Sequence, residues 1–294
     1  MKRNSIHCGS FIQKVVGKYF YTSVLLALFA AWFPTGNIQA QGNLLLTPKR
    51  VIFEGNKTSE SINLANSGSD TARYVISLTH FRMKEDGSFE EITQAEAGQL
   101  SAEPYLRYFP RTVVLAPNEA QVIRIQFTKT AQMASGEYRS HLYIRAIPDP
   151  TPLGENVREQ PASIAVKLVP IFGISIPVII RVGESNATAN ITGLSLKTSA
   201  TDPPVLSMSL NRSGNMSVYG DVSVKYVPVN GQSKLVGIIK GLAVYTPNAT
   251  RQVQLALDKN IIPMDCHTGK LVVEFITQVN NRDKKISEAE LILQ

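Results

Sequence analysis

The chain has 294 residues, 44% of them hydrophobic and 18% charged, with a formal net charge of +7. That length allows two ordinary domains with a core each, and the apolar fraction excludes a disordered chain. The excess of Lys and Arg is mild and unclustered, which excludes a nucleic-acid binder.

Residues 1–40 read as a signal peptide. Lys2, Arg3, Lys14 and Lys18 precede an apolar run from Tyr21 to Phe33, and Ile38-Gln39-Ala40 offers a cleavage site before Gln41. The run is shorter than the ~20 apolar residues that a spanning helix needs. An uncleaved N-terminal anchor is the competing reading. No later stretch is long and apolar enough to span, so no stable membrane insertion is expected. The segment holds four basic residues and no acidic ones, so cleavage lowers +7 to +3. Cys8 leaves with it, and Cys266 then has no second cysteine in the mature chain. An exported chain without an internal disulfide relies on its cores for stability.

From Leu44 to Arg181 short strand patterns follow one another: Leu45–Glu54, Ser59–Ala65, Ala72–Phe81, Glu119–Lys129, Tyr138–Ile147 and a long run over Ser163–Arg181. Ile123, Ile125 and Phe127 alternate with Arg124 and Gln126, as a half-buried strand requires. Turn signals at Asn66-Ser67-Gly68, Asp86-Gly87, Pro117-Asn118 and Ser135-Gly136 separate the runs. The Pro-rich stretch Pro148–Pro161 is longer than a hairpin loop needs, and reads either as a surface insertion or as a partner-capturing loop.

A linker is expected at Val182–Asn186. Beyond it come seven further strand patterns: Asn190–Lys197, Val205–Asn211, Val218–Val229, Leu235–Val244, Gln252–Leu257, Lys270–Val279 and Ile286–Leu293. The expected fold is all-β, with two immunoglobulin-like sandwiches. The division is 1–40 signal peptide, 41–182 first domain and 183–294 second domain.

The run Ser163–Arg181 (SIAVKLVPIFGISIPVIIR) is the most unusual segment. Fully extended it reaches about 60 Å, more than one small domain can pair. Pro170 and Pro177 remove ladder donors, which suits a sheet edge, yet Lys167 is the only charge before Arg181. One reading is a buried strand followed by an apolar linker. The other is an edge strand kept apolar because it is lent to another protein. Its candidate anchors are Ile164, Val166, Leu168, Pro170, Phe172 and Ile174, which share one parity.

Four segments in order resemble the PapD-like periplasmic chaperones of chaperone–usher pilus assembly. These are Pro48–Gly55 (PKRVIFEG), Arg107–Arg111 with Leu115-Ala116-Pro117, Tyr138–Tyr143 with Pro148, and Gly173–Val178 (GISIPV). The resemblance covers essentially the whole mature chain. It implies two immunoglobulin-like domains set as a boomerang, and a periplasmic protein without cofactor. Its partners would be pilus or fimbrial subunits and an outer-membrane usher. The strand over 163–181 would complete a subunit's unfinished fold by donor-strand complementation, a form of β-strand addition. The resemblance also implies a cationic pair that grips the subunit's C-terminal carboxylate. Arg50 matches its arginine. The position aligned with its lysine is Ser175, which carries no charge. Either Arg50 with the Ser175 hydroxyl holds the carboxylate, or another cation such as Arg181 substitutes.

Catalytic signatures are missing. His80, His141 and His267 show no metal-ligand spacing, and there is no phosphate loop, nucleophile elbow or CxxC pair. The expectation is no enzyme, no metal and no nucleic acid. The alternative function is an exported immunoglobulin-like adhesion or carbohydrate-binding module.

Overall fold

The computed structural model describes residues 44–130, 133–148, 171–199, 201–261, 268–279 and 282–294. Among them the fold is all-β, with no α-helix and a single 3-10 turn at Glu103–Tyr105. None of their helices is long and apolar enough to cross a membrane.

The first sandwich begins with two short strands, β1 (Leu44–Thr47) and β2 (Val51–Phe53), where one strand over Leu45–Glu54 is expected. Pro48 stands between them and has no N–H to continue a ladder, so the chain crosses there from one sheet to the other. β1 pairs with β3 (Ser59–Asn66), which pairs with β8 (Ala120–Phe127) and through it with β6 (Leu106–Phe109). The facing sheet runs in the order β2, β10 (Gly173–Val182), β9 (Gly136–Ile147), β4 (Ala72–Met83) and β5 (Phe89–Ile92). β7 (Thr112–Leu115) also pairs with β4. Strands β5, β6 and β7 carry no clear alternation and are absent from the sequence reading.

Inward residues of both sheets form one core, including Phe53, Ile62, Leu64, Ile123, Ile125, Leu142, Ile144, Val178 and Ile180. The expected inward parity of Ile123, Ile125 and Phe127 holds. Asn66 is buried at the end of β3 and closes the adjacent turns: its amide donates to the carbonyls of Asp70, Leu115 and Ala116, and its Oδ1 accepts from the Gly68 N–H.

The second sandwich packs a three-stranded sheet, β11 (Thr188–Lys197), β12 (Val205–Ser213) and β15 (Thr250–Ala256), on a four-stranded one. That sheet has the order β14 (Lys234–Val244), β13 (Val218–Val227), β16 (Lys270–Val279) and β17 (Arg282–Ile292). Leu206, Leu210, Val222, Val224, Leu271, Val273 and Phe275 fill its core.

A third apolar cluster joins the two sandwiches. It unites Met83 and Ile179 of the first with Ala243 and Tyr245 of the second. Hydrogen bonding reinforces it: the Gln252 backbone N–H donates to the Glu85 carbonyl at 2.6 Å, and the Asn248 side-chain Nδ2 donates to the Met83 carbonyl at 2.8 Å. The tip of the β4–β5 hairpin seats against Arg251, where a Cβ on Gly87 would lie 2.3 Å from that guanidinium. His141 of β9 is buried on this side of the sheet, with its ring edge-on to Phe81 at 5.0 Å and near Phe89 at 5.7 Å.

Two outcomes test this packing. Phe53 is fully buried and its ring lies 5.8 Å from that of Phe127, so Phe53→Ala should remove about 3–5 kcal/mol of stability in urea unfolding. A loss under 1 kcal/mol would contradict the core. The second concerns His141, whose pKa is lowered from 6.5 to about 3, first by burial and then by Arg139 and His80. The folded ring stays neutral while the unfolded one takes a proton below pH 6.5. Its stabilising contribution is therefore full above pH 6.5 and is lost as the pH falls toward 3, with about 2 kcal/mol already lost at pH 5. Replacing it by the similarly shaped ring in His141→Phe should flatten that part of the stability profile. An unchanged slope between pH 6.5 and 4 would refute the assignment.

Candidate functional site

The register of the larger sheet decides which side chains share its outer face. Val51 of β2 lies opposite Val178 of β10 in parallel, so Arg50 is level with Pro177. Pro177 in turn lies opposite His141, and Ile179 lies opposite both Ile52 and Arg139. Residues directly paired across a sheet share a face. Arg50, Pro177, His141, Ile179 and Arg139 therefore all point away from the first core and toward the second sandwich.

Two arginines meet there around one aromatic ring. The Arg139 guanidinium lies 4.3 Å from the centroid of Tyr245, and that of Arg50 lies 5.8 Å from it. Arg50 also stacks on Tyr219 at 4.2 Å. Arg139 is 1% exposed. Its Nη2 donates to the carbonyl of Thr246 at 3.2 Å, with Phe81 O at 3.5 Å, while Nε and Nη1 are buried without a partner. All three nitrogens of Arg50 are buried without a hydrogen-bond partner among the described residues.

The electrostatics agree with the geometry. Burial is the main cause that lowers the pKa of Arg139, to about 10; Tyr245 and Glu137 oppose it, and Arg50 adds repulsion. Arg50 is lowered in the same way, chiefly by burial, with Arg181 repelling it and Tyr245, Glu137 and Tyr219 opposing. Burial pushes the Tyr245 phenol up, against the pull of the two arginines. Donors this deeply desolvated and unpaired are costly to hold, and an anion in their midst would relieve them.

Arg181 does not share this state. Its Nε donates to Glu137 Oε2 at 3.2 Å, its Nη2 donates to the Ser217 carbonyl at 3.3 Å, and Glu54 lies 3.5 Å from Nη1. Ser217 adds its N–H and hydroxyl to the same Glu137 oxygen. Arg181 thus ties the two sandwiches together and is not a spare cation. A hollow of about 350 Å³ lies beside it, walled by Phe53, Glu54, Lys129, Arg181 and Met216, and neither Arg50 nor Arg139 lines it.

The other expected residues scatter. Ser175 is exposed opposite Tyr143, two residues from the level of Arg50 or ~7 Å along the strand. The residue beside Arg50 is Pro177, which can bear no charge. Ile164, Val166, Leu168 and Pro170 lie outside the described residues. Phe172 is 47% exposed, and its carbonyl accepts from the Ala146 N–H. Ile174 packs on the first sandwich's own core, on the parity of Ile176, Val178 and Ile180, and so is not an outward anchor. β10 is also not an edge throughout: β2 covers Val178–Ile180, and only its first half is paired by β9 alone among the described residues.

Sequence reasoning missed Arg139 and both tyrosines. The alternation in Tyr138-Arg139-Ser140-His141-Leu142 places Arg139 opposite in parity to the core residue Leu142, but nothing local shows that another sandwich buries that outer face. Among the described residues no group of three His, Cys, Asp or Glu side chains is placed to hold a metal.

No family model matches the chain, and no curated protein matches it. Among solved structures it is similar to the YadV chaperone, at 12% identity and a TM-score of 0.43, over 86% of this chain and 100% of that one. It is also similar to a chain of the CsuC–CsuE chaperone–tip subunit pre-assembly complex from Csu pili of Acinetobacter baumannii. That match has 13% identity and a TM-score of 0.43, over 84% of this chain and 98% of that one. A third similarity is to the Salmonella enterica SafA pilin in complex with the SafB chaperone, at 16% identity and a TM-score of 0.38, covering 86% and 98%. Each of these three structures contains a chaperone, and in two of them a pilus subunit accompanies it.

Proposed function

We propose that this chain is a periplasmic pilus-assembly chaperone, not an enzyme, that holds a subunit's C-terminal strand and delivers the subunit to an outer-membrane usher. In this reading residues 1–40 are a cleaved signal peptide, 41–182 the subunit-holding domain and 183–294 the second domain. The observation that carries it is the pair of buried guanidiniums at one end of an open sheet edge: among the described residues no nitrogen of Arg50 has a hydrogen-bond partner, nor do Nε and Nη1 of Arg139.

The edge beside Gly173–Pro177 has no partner opposite β9 among the described residues, and β2 closes it from Val178 onward. A strand added there occupies the place in front of β2, and its leading end stops at Arg50. If it runs parallel to β10, that end is its C-terminus. A terminal carboxylate then meets Arg50, whose nitrogens have no acceptor among the described residues, and the two free nitrogens of Arg139 lie behind it. Run the other way, an ammonium would meet two positive charges. Charge alone therefore selects the parallel direction for a strand that ends at this point. Backbone hydrogen bonds along β10 would supply general affinity, and the apolar run that precedes Gly173 would supply side-chain contacts. The second cation is read as Arg139, in place of Ser175 or Arg181.

The test uses a peptide of alternating apolar residues with a free C-terminal carboxylate, and its amidated twin, titrated into the exported protein. The free acid should bind at least tenfold more tightly. Arg50→Ala and Arg139→Met should each remove that preference, at about 2–5 kcal/mol for a desolvated charge pair. Arg50→Lys should restore only part of it, because an ammonium lacks the forked donor pair. Equal binding of acid and amide by the wild type would overturn the carboxylate anchor.

A further inference from the structure

Arg50 presents a difficulty for any ligand. Its Nε, Nη1 and Nη2 are all hidden from solvent, so an anion cannot reach them while the cleft stays as it is. Something that covers the guanidinium must move. Two rings lie on it, and they differ in freedom. Tyr245 is 5% exposed and belongs to the cluster with Met83, Ile179 and Ala243 that joins the sandwiches. Moving it would open that seam.

Tyr219 is different. It is 41% exposed on β13, although its ring centroid lies only 4.2 Å from the Arg50 guanidinium carbon. Its backbone is fixed by pairing with Ala243 and by the Thr277 hydroxyl, which donates to its carbonyl at 2.9 Å. The side chain alone is left to swing. Its phenol rests over Gly241, where φ is +69° and a Cβ would stand 2.8 Å from the phenolic oxygen. The glycine supplies both the left-handed backbone and the space in which the ring lies flat.

We propose that Tyr219 is an aromatic lid on the anion site, closed over Arg50 in the free protein and swung aside by χ1 rotation when an anion enters. The closed ring offers its negative face to a cation that has no carboxylate within salt-bridge distance among the described residues. It thus keeps the empty site from standing open with a bare charge, and the ligand's oxygens replace a weak partner with a strong one. A site whose competent form is only a fraction of the ensemble binds more weakly by that fraction.

The lid is tested on the exported chain by labelling with phenylglyoxal, an arginine-selective dicarbonyl, and reading modification residue by residue by mass spectrometry. In the wild type Arg50 should react at least ten times more slowly than the exposed Arg124. Tyr219→Ala, or the strand-favouring Tyr219→Thr, should raise the Arg50 rate about tenfold or more, as expected when a desolvated cation–π contact is lost. Arg139, 1% exposed and under the Tyr245 ring, should label more slowly than Arg50 in the ring-less variants. Tyr219→Phe keeps the ring and should keep the protection. Fast labelling of Arg50 in the wild type, or slow labelling in both ring-less variants, would overturn the lid. The binding arm rests on the carboxylate reading: the free-acid peptide should associate about tenfold faster with Tyr219→Ala. If labelling opens while acid and amide peptides still bind alike, the lid stands and the carboxylate reading falls.

Discussion

The guanidiniums of Arg50, Arg139 and Arg181 lie where the two sandwiches face each other, and of the three Arg181 is the one paired with the buried carboxylate of Glu137. Removing an ion from water costs several kcal/mol even after relaxation, and only close opposite charge or good hydrogen bonds offset it. Glu137 compensates Arg181, and Ser217 completes that contact with two further donors to the same oxygen. Nothing of comparable strength answers Arg50 and Arg139. They have π-faces and, for Arg139, two carbonyls; a cation–π contact supplies ~2 kcal/mol when desolvated, well short of an ion pair. The seam therefore carries surplus positive charge in a region screened from solvent, which is the property the proposed anion site rests on.

β10 is placed so that one strand serves both the core and this charge. On its even parity, Ile176, Val178 and Ile180 close the first sandwich. On its odd parity, Ile179 joins the apolar seam and Pro177 stands beside Arg50. Because a strand's side chains alternate strictly, a one-residue slip would exchange these two sets and lose both. The parallel contact with β2 fixes the register from one side and the long antiparallel contact with β9 fixes it from the other. Pro177 fits this position because it needs no ladder donor on the open side.

The all-β character, and most strand positions in both sandwiches, were legible from alternation and turn residues, since those signals are local. Arg50 was legible only through a motif. Arg139 was not, because its role depends on a neighbour more than a hundred residues away: Thr246 receives its hydrogen bond and Tyr245 receives its charge. The same limit explains Ser175. Alignment with the family motif puts the missing lysine at Ser175, while the pairing of Val51 with Val178 puts Pro177 at the level of Arg50. Ile174 shows the complementary failure. An apolar residue on an apolar strand reads equally well as an outward anchor or an inward core residue, and only the facing sheet decides.

Holding the cations in place matters as much as having them. Arg139 donates toward carbonyls from both sandwiches, Phe81 of the first and Thr246 of the second, so its position is defined only while the two are docked. The docking is itself redundant: the apolar cluster at Tyr245, the β4–β5 hairpin against Gln252 and Asn248, and the bridge from Arg181 and Glu137 to Ser217 act at different points along the seam. A surface arginine gains little from an ion pair, because water solvates it well and its side chain must be ordered first. Here the desolvation and the ordering of Arg139 are both met by folding, before any anion arrives. In the proposed reading the gain from pairing would then go in full to the ligand, which is what preorganisation means in energetic terms. A charged group in this state costs stability, and the contacts that hold it are what the proposed carboxylate anchor would draw on.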